Sequence, residues 1–575
     1  MLKRLQWLLI GVLAFSLILT ACTPAAPAEE PAVEEPAVEE PAVEEPEEPT
    51  EAPAEEPTEE EATEEPTEEE ATEEAAEGGA AGEAGTVIIG TTDQINSLDF
   101  ADAYSVHDWE LFRNVNAGLM GFAPGTAEVV PQVAADWPEV SEDGLTWTFT
   151  ISEGWFFPDG TELVAGDFVR GIQRAMTLEG EVTPLVAPYI ESVEAPDDRT
   201  LVITTTSPYG YFPQVVTGTA YMPIQEGQYP EDALEEFPER VYGVGPYQIT
   251  QYTVNEQVVL ERNPYYGGEL PETAPERVII RYFEDPTQMG LALENGEIDI
   301  AWRTLGPIEA ARLGEVDGLT LVNTGGGGIR YLVPNHGMEP FNDINVRQAV
   351  AYLIDRDEII DRAVQGRNDP LYSMVPPGFL GATEAFLDRY DAPDIEAAEE
   401  LLRASGYSED NPLVFDLWYP PEHYGTHAAQ IFQVLEEQLE ATPLIQVNLQ
   451  SQEWSTYVSA LTGGEYPIGY LGWFFDYPDP SNYIEPFAQS AASPFIGTNY
   501  ASAEMDELLA QGAAETDEEA RAEIYEQIQA LYAEDVVTIP LTIESEFAVF
   551  RNATISDVPI GPALDFNYEF IVMAR

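Results

Sequence analysis

Lysine is nearly missing from this 575-residue chain: Lys3 is the only one. Cysteine occurs once, at Cys22, and histidine four times. A single cysteine excludes a disulfide scaffold, an iron–sulfur cluster and a cysteine-based zinc site. Basic residues number 22 against 106 acidic ones, a formal charge of −84. Such a chain is repelled by nucleic acid and by anionic lipid surfaces, so no nucleic-acid partner is expected. Beyond the first 21 residues, no stretch is apolar enough to span a bilayer.

The charge that is present is unevenly spread. Cys22 to Gly85 holds 25 Glu and no Asp, Lys or Arg. Val87 onward holds 81 acids against 20 bases, every base an arginine. That part is too long for one core and long enough for two or three domains. Its dense acid favours solubility and says nothing about fold.

Residues 1–21 read as a secretory signal. Lys3 and Arg4 form a short positive region, and Trp7 to Thr20 an uncharged, mainly apolar run. The run ends in Leu19-Thr20-Ala21-Cys22, which resembles the bacterial lipobox. In that class the Cys22 thiol carries a diacylglycerol and its freed amine a further acyl chain. Two or more chains make a durable membrane anchor. The expected location is extracytoplasmic, lipid-anchored to the bacterial cell membrane. The competing reading is a plain signal peptide with an incidental cysteine. Residues 22–85 follow as low complexity: PAVEE three times from Pro31 to Glu45, then PTEEEATEE twice from Pro57 to Glu74. Few apolar side chains and dense like charge predict an unfolded, extended tether.

From residue 86 the pattern is that of a folded protein. Val87 to Gly90 is an apolar strand, and Leu145 to Ile151 alternates as a half-buried strand does. Asp167 to Met176 fits a helix with Phe168, Ile172 and Ala175 on one face. Further strands are expected at Thr200–Thr205, Tyr247–Tyr252, Val258–Glu261 and Val278–Phe283, with a short helix at Thr287–Asn295. Asn345 to Ala363 reads as one longer helix with Val346, Val350, Leu353, Ile354 and Ile360 inward. Helices at Ile395–Ser405 and Ala428–Ala441 alternate with strands at Leu413–Trp418 and Ile445–Leu449. Two helices, Ser502–Gln511 and Asp517–Asp535, follow. The class is α/β with mixed sheets.

The order of short motifs then resembles a known family. Ser97-Leu98-Asp99 comes first, then Val133-Ala134-Ala135-Asp136-Trp137 and the stretch EDGLTWTFTISEGWFFPDGTELVAGDFV from Glu142. Gly243 to Tyr247 (GVGPY), Arg262 to Tyr266 (RNPYY), Gly296 to Asp299 (GEID), Pro340 to Asp343 and Val346 to Ala349 (VRQA) follow. Late in the chain come Gln452-Glu453-Trp454, then Gly472-Trp473 with Asp476 to Pro480. In this order they resemble the extracytoplasmic solute-binding proteins of ABC importers, in the family that binds peptides, dipeptides and nickel. The resemblance covers nearly all of Val87 to Val549. It implies a multi-lobed, periplasmic-binding-protein type II-like α/β fold with mixed sheets and a hinged ligand cleft. The implied lobes are I (about 86–131, 242–335 and 545–575), II (132–241) and III (336–544). The implied partners are a peptide ligand and the permease subunits of an ABC transporter. No cofactor, no metal and no catalytic residue is implied, and a monomer is expected.

The candidate ligand anchor is Asp476. In peptide binders of this family an Asp in the matching G-W-x-x-D stretch pairs with the peptide's α-ammonium. A buried ammonium needs a charge partner in fixed geometry. The competing reading is an acidic turn, since Tyr477-Pro478-Asp479-Pro480 is turn chemistry. In some oligopeptide binders a basic residue six positions earlier helps offset the far carboxylate; here that position is Tyr470. Trp473 and Tyr477 complete the candidate ligand-binding set. Trp473, Phe474, Phe475, Trp418 and Tyr419 suit either a ligand cavity or core packing. His423 and His427 have the i, i+4 spacing of metal ligands, but Pro420-Pro421 points to solvent-facing histidines at a helix start. Gly325 to Gly328 is followed by no Gly-Lys-Ser/Thr, so it is no phosphate loop; a hinge or close packing fits better. Peptide capture is the first reading. An oligosaccharide ligand on the same scaffold is the alternative, and a secreted glycosidase, which needs only two carboxylates, is the outlier.

Overall fold

The computed structural model describes residues 85–425, 427–561 and 566–574; for Thr324 and Gly325 it describes the backbone only. The signal, Cys22 and the acidic repeats lie outside the described residues.

One mixed sheet of 11 strands runs through most of the described chain. From one edge its order is Ile445–Ser451, Leu413–Tyr419, Ile468–Trp473, Leu319–Pro334, Ile539–Arg551, Ile300–Arg303, Thr86–Thr91, Arg277–Tyr282, Gln257–Arg262 and Tyr247–Thr253. The short strand Asp369–Pro370 pairs beside Ile539–Arg551. Thr86–Thr91 lies between parallel neighbours and is buried along its whole length. Val87 and Ile89 face one core, Ile88 the opposite one. A strand covered on both faces is expected to be an unbroken apolar run, as Val87-Ile88-Ile89 is.

The segment between residues 117 and 244 builds a second core on a four-stranded antiparallel sheet. Its strands are Glu139–Val140, Thr146–Thr150, Ile190–Asp197 and Thr200–Thr205. Trp147, Phe149 and Ile151 point inward, and their threonine neighbours do not, which is the alternation of a one-sided sheet. Helix Ala165–Thr177 lays Phe168, Ile172 and Ala175 on this core. Its Arg174 reaches out to Asp99, the two side chains 2.6 Å apart with Asp99 wholly buried. Asp99 also accepts the N–H groups of Ala101 and Glu235. The Ser-Leu-Asp motif is thus a brace between the first segment and this helix.

The largest core gathers side chains between Ile329 and Ile543. Two strands join it to the first: Leu319–Pro334 and Ile539–Arg551 pair antiparallel from Leu319↔Arg551 to Leu332↔Ile539. Phe547 to Phe550 pack on the first cores, whereas Ile539, Leu541 and Ile543 pack on the largest. The register shifts between Gly325 and Ile329, inside the four-glycine run. Gly326 and Gly327 are there for close approach. A Cβ on Gly327 would lie 2.6 Å from the Phe475 ring, and one on Gly326 2.6 Å from the Glu544 carbonyl.

One expected helix is broken in two. Asn345–Ala363 forms Ile344–Leu353 and Arg356–Ala363, with Ile354 extended between them. Asp355 caps the second helix by accepting the Glu358 N–H at 3.0 Å. An Asp that satisfies a free amide at a helix start competes with continuing the helix through it. Among the described residues, no helix is long and apolar enough to cross a membrane.

Candidate ligand-binding site

Strand Ile468–Trp473 stops at Trp473, and helix Pro480–Ala488 starts seven residues later. Asp479 caps that helix by accepting the Ser481 N–H at 2.9 Å, and Pro480 supplies the preset φ of a first turn. The intervening turn is fixed at both ends, and Asp476 is in its middle. Asp476 Oδ1 accepts the Tyr104 hydroxyl at 2.9 Å, and Oδ2 accepts Asn482 Nδ2 at 3.0 Å. Asn482 Oδ1 in turn accepts the Asp476 N–H at 3.0 Å and Trp473 Nε1 at 3.1 Å. One carboxamide therefore orients both Trp473 and the Asp476 carboxylate.

The Asp476 carboxylate is held by neutral donors. Burial pushes its carboxyl upward, and the Asn482 and Tyr104 hydrogen bonds pull only part of the way back. Three residues on, Asp479 presents the opposite case. Arg521 grips it with Nη1 at 2.6 Å and Nη2 at 2.7 Å, both side chains buried. Among the described residues, no arginine forms an ion pair with Asp476. Beside Asp476 is a narrow pocket, ≈ 370 Å³ in envelope with ≈ 20 Å³ of free room. Trp109, Val182, Leu185, Val215 and Tyr221 give it an apolar lining, and Arg113, stacked 5.2 Å over Phe122, reaches its wall.

The other two predicted ligand-binding residues flank the anchor. Trp473 is half-buried and meets Phe487 edge-on at 5.3 Å. Tyr477 is buried, lines the pocket with Asp476, and stacks on Tyr211 at 5.6 Å. Phe475 is core, edge-on to Phe379 and Tyr483, and Phe474 stacks on it at 4.6 Å. Trp418 and Tyr419 stack on Tyr466 and Phe432.

The sequence model "Bacterial extracellular solute-binding proteins, family 5 Middle" matches residues 128–495. The chain belongs to this family. Among the relatives of this family 5 solute-binding protein is the periplasmic oligopeptide-binding protein OppA of Salmonella typhimurium. It is 25% identical over 488 residues, which span 79% of this chain and 86% of that one. The OppA of Haemophilus influenzae is 27% identical over 444 residues, 72% and 79% of the two chains. Among solved structures, Listeria monocytogenes CtaP superposes with a TM-score of 0.74 at 22% identity, covering 86% of this chain and all of that one. DppA from Helicobacter pylori in complex with peptide STSA superposes with a TM-score of 0.70 at 21% identity, covering 85% and 98%. The fold is that of the type II periplasmic binding proteins.

Three residues of the family 5 protein's site region were not singled out from the sequence. Tyr104 is 372 residues from Asp476, a distance no spacing argument reaches. Asn482 had a local signal, an amide in the first turn after an Asp-Pro helix start. Arg330 lies in register with Gly472, its guanidinium 4.1 Å over the Tyr424 ring and ion-paired with Glu544. Gly472 leaves room for it, since a Cβ there would collide with Nη1. Tyr470, six positions before Asp476, is buried against Tyr424 and Phe432. Of the two spaced histidines, His423 stacks on Trp454 at 3.5 Å, and burial pushes both imidazoles down to about 4. Among the described residues, no group of three His, Cys, Asp or Glu is placed to hold a metal ion.

Proposed function

We propose that this family 5 protein captures peptides with a free α-amine outside the cell and delivers them to an ABC permease. The observation that carries this reading is the half-buried Asp476 carboxylate, which accepts from two neutral donors and, among the described residues, forms no ion pair. A carboxylate so placed favours a ligand that brings its own positive charge. The relatives named for oligopeptide and dipeptide binding support the peptide class. Asp476 is the counter-charge, with Trp473 and Tyr477 beside it. The three lobes are 86–131 with 242–335 and 545–575, then 132–241, then 336–544. No step of catalysis is assigned.

Mass spectrometry of whatever co-purifies with residues 86–575, followed by calorimetry with free and N-acetylated forms of one peptide, tests this. Peptides are expected in the first measurement and a large loss on acetylation in the second. A bound ligand without an amine, such as an oligosaccharide, would overturn it.

The location is part of the same proposal. Residues 1–21 are the signal, Cys22 the lipidated residue, and 22–85 the tether. Cys22→Ala should leave the protein in the soluble extracytoplasmic fraction or with its leader uncleaved. Membrane retention after leader cleavage would refute the anchor.

A further inference from the structure

Tyr477 follows the anchor in the chain, yet its ring packs in the core built by residues 117–244. It stacks on Tyr211 at 5.6 Å and 10°, and meets Tyr189 edge-on at 6.2 Å. Its hydroxyl is 3.1 Å from that of Tyr189. The same two parts of the chain touch again nearby. Gly210 N–H donates to the Ala513 carbonyl at 2.8 Å. A Cβ on Gly210 would lie 2.1 Å from the Glu515 carbonyl, so only glycine permits this approach. Arg521, held by Asp479, lies 5.0 Å over the Tyr211 ring. Stacked rings, a backbone hydrogen bond and a cation over a ring thus converge on one short stretch, Tyr189 to Tyr211.

We propose that Gly210 and Tyr211 form a clasp that closes on Tyr477 and Ala513 and so holds the Asp476 turn over its ligand. The inference rests on the peptide reading of Asp476. Asp476 and Tyr477 are adjacent residues of one turn, fixed behind by Asn482 and Asp479. Asp476 meets Tyr104, and Tyr477 meets the clasp. A ligand held by Asp476 cannot leave while the turn is pinned from the side of Tyr211. The clasp residues are positioning residues: Gly210 does not line the Asp476 pocket. Their effect belongs in the rate of release and not in the rate of capture, because Gly210 and Tyr211 lie outside the lining of the Asp476 pocket.

Gly210→Val is the test, in residues 86–575 with trialanine as probe. The branched side chain meets the Glu515 carbonyl and must part the contact. Circular dichroism should be unchanged. Stopped-flow dissociation should be at least tenfold faster, with association within about twofold of wild type. Small-angle scattering of the variant with trialanine should give a larger radius of gyration than wild type with trialanine. Wild-type dissociation and equal compaction would overturn the clasp. If Gly210→Val does not fold, Gly210→Ala places its methyl against the same carbonyl and carries the same expectations. Should the wild type bind no free-amine peptide, the peptide reading fails. The clasp is then judged by hydrogen exchange at Tyr209–Phe212, which should quicken in Gly210→Val; unchanged exchange refutes it.

Discussion

Two aspartates three residues apart in one turn should respond oppositely to the same substitution. Asp479 is 2 % exposed and holds both Nη atoms of Arg521. Asp479→Asn removes the charge and leaves a buried guanidinium without its partner. Breaking one side of a buried pair costs about 3–5 kcal/mol. The helix cap is retained, since Asn keeps an oxygen for the Ser481 N–H, so the loss is the charge pair alone. Asp476→Asn breaks no ion pair among the described residues. Its amide keeps a carbonyl oxygen for Asn482 Nδ2 and turns its NH2 to the Tyr104 hydroxyl oxygen, exchanging charge-assisted hydrogen bonds for neutral ones at a cost of about 1–2 kcal/mol. Removing a charge that burial disfavours offsets much of that. The net change in stability should be within about 1 kcal/mol of zero. Binding should behave the other way round. Asp476→Asn takes the counter-charge from a free-amine peptide and should weaken it by about two orders of magnitude. Urea denaturation followed by circular dichroism, with calorimetry on the same two proteins, reads both effects. Equal destabilisation by the two substitutions would show that the charge at 476 is structural. A wild-type midpoint for Asp479→Asn would refute the electrostatic argument itself.

Other outcomes follow from single contacts. Burial pushes the Glu485 carboxyl up to about 8, from an ordinary 4.5, with Asp479 adding to the shift and Arg521 opposing it. The folded protein therefore holds that proton where the unfolded chain has lost it, and stability present below about pH 4.5 is lost as pH rises through 8. Glu485→Gln should raise the melting temperature at pH 9 and leave it nearly unchanged at pH 5; an equal shift at both would refute the linkage. Gly327→Ala forces a methyl to 2.6 Å from the Phe475 ring and should cost about 1–3 kcal/mol in chemical denaturation. Arg174→Met leaves Asp99 buried without its cation and should lower stability by about 3–5 kcal/mol. Asp99→Asn combined with Arg174→Met should lose less than the two single changes summed, since both remove one interaction.

Local order was legible where one face of an element is buried. Trp147 and Phe149 alternate with threonine because the sheet beneath them is one-sided. Phe168, Ile172 and Ala175 recur at helical spacing because that helix has one core to face. The pair that links the cores was not legible as a pair. Leu319–Pro334 carries a glycine run where side chains would mark a strand. Ile539–Arg551 serves two cores in turn, so its apolar residues follow no single alternation. The break at Ile354–Asp355 was hidden because both residues fit the inward stripe or the polar face of a longer helix. At the candidate site, the Gly-Trp-x-x-Asp stretch singled out position 476 by its company. What meets Asp476 was invisible, since Tyr104 arrives from the far end of the folded chain. The contrast with Asp479 was equally hidden: two similar acids in one turn differ only because Arg521 folds back onto the second.

The first strand has a mechanical consequence. Thr86–Thr91 pairs in parallel with Arg277–Tyr282 over six positions and with Ile300–Arg303 on its other side. A force drawn along it from residue 85 loads those backbone hydrogen bonds together, in shear, and does not peel them one by one. Near the other end of the described chain, Phe566, Tyr568 and Ile571 pack into the same core. Tension entering at residue 85 is borne by that core. It does not run through the turn that carries Asp476, so a pull applied at residue 85 leaves that turn slack and undistorted.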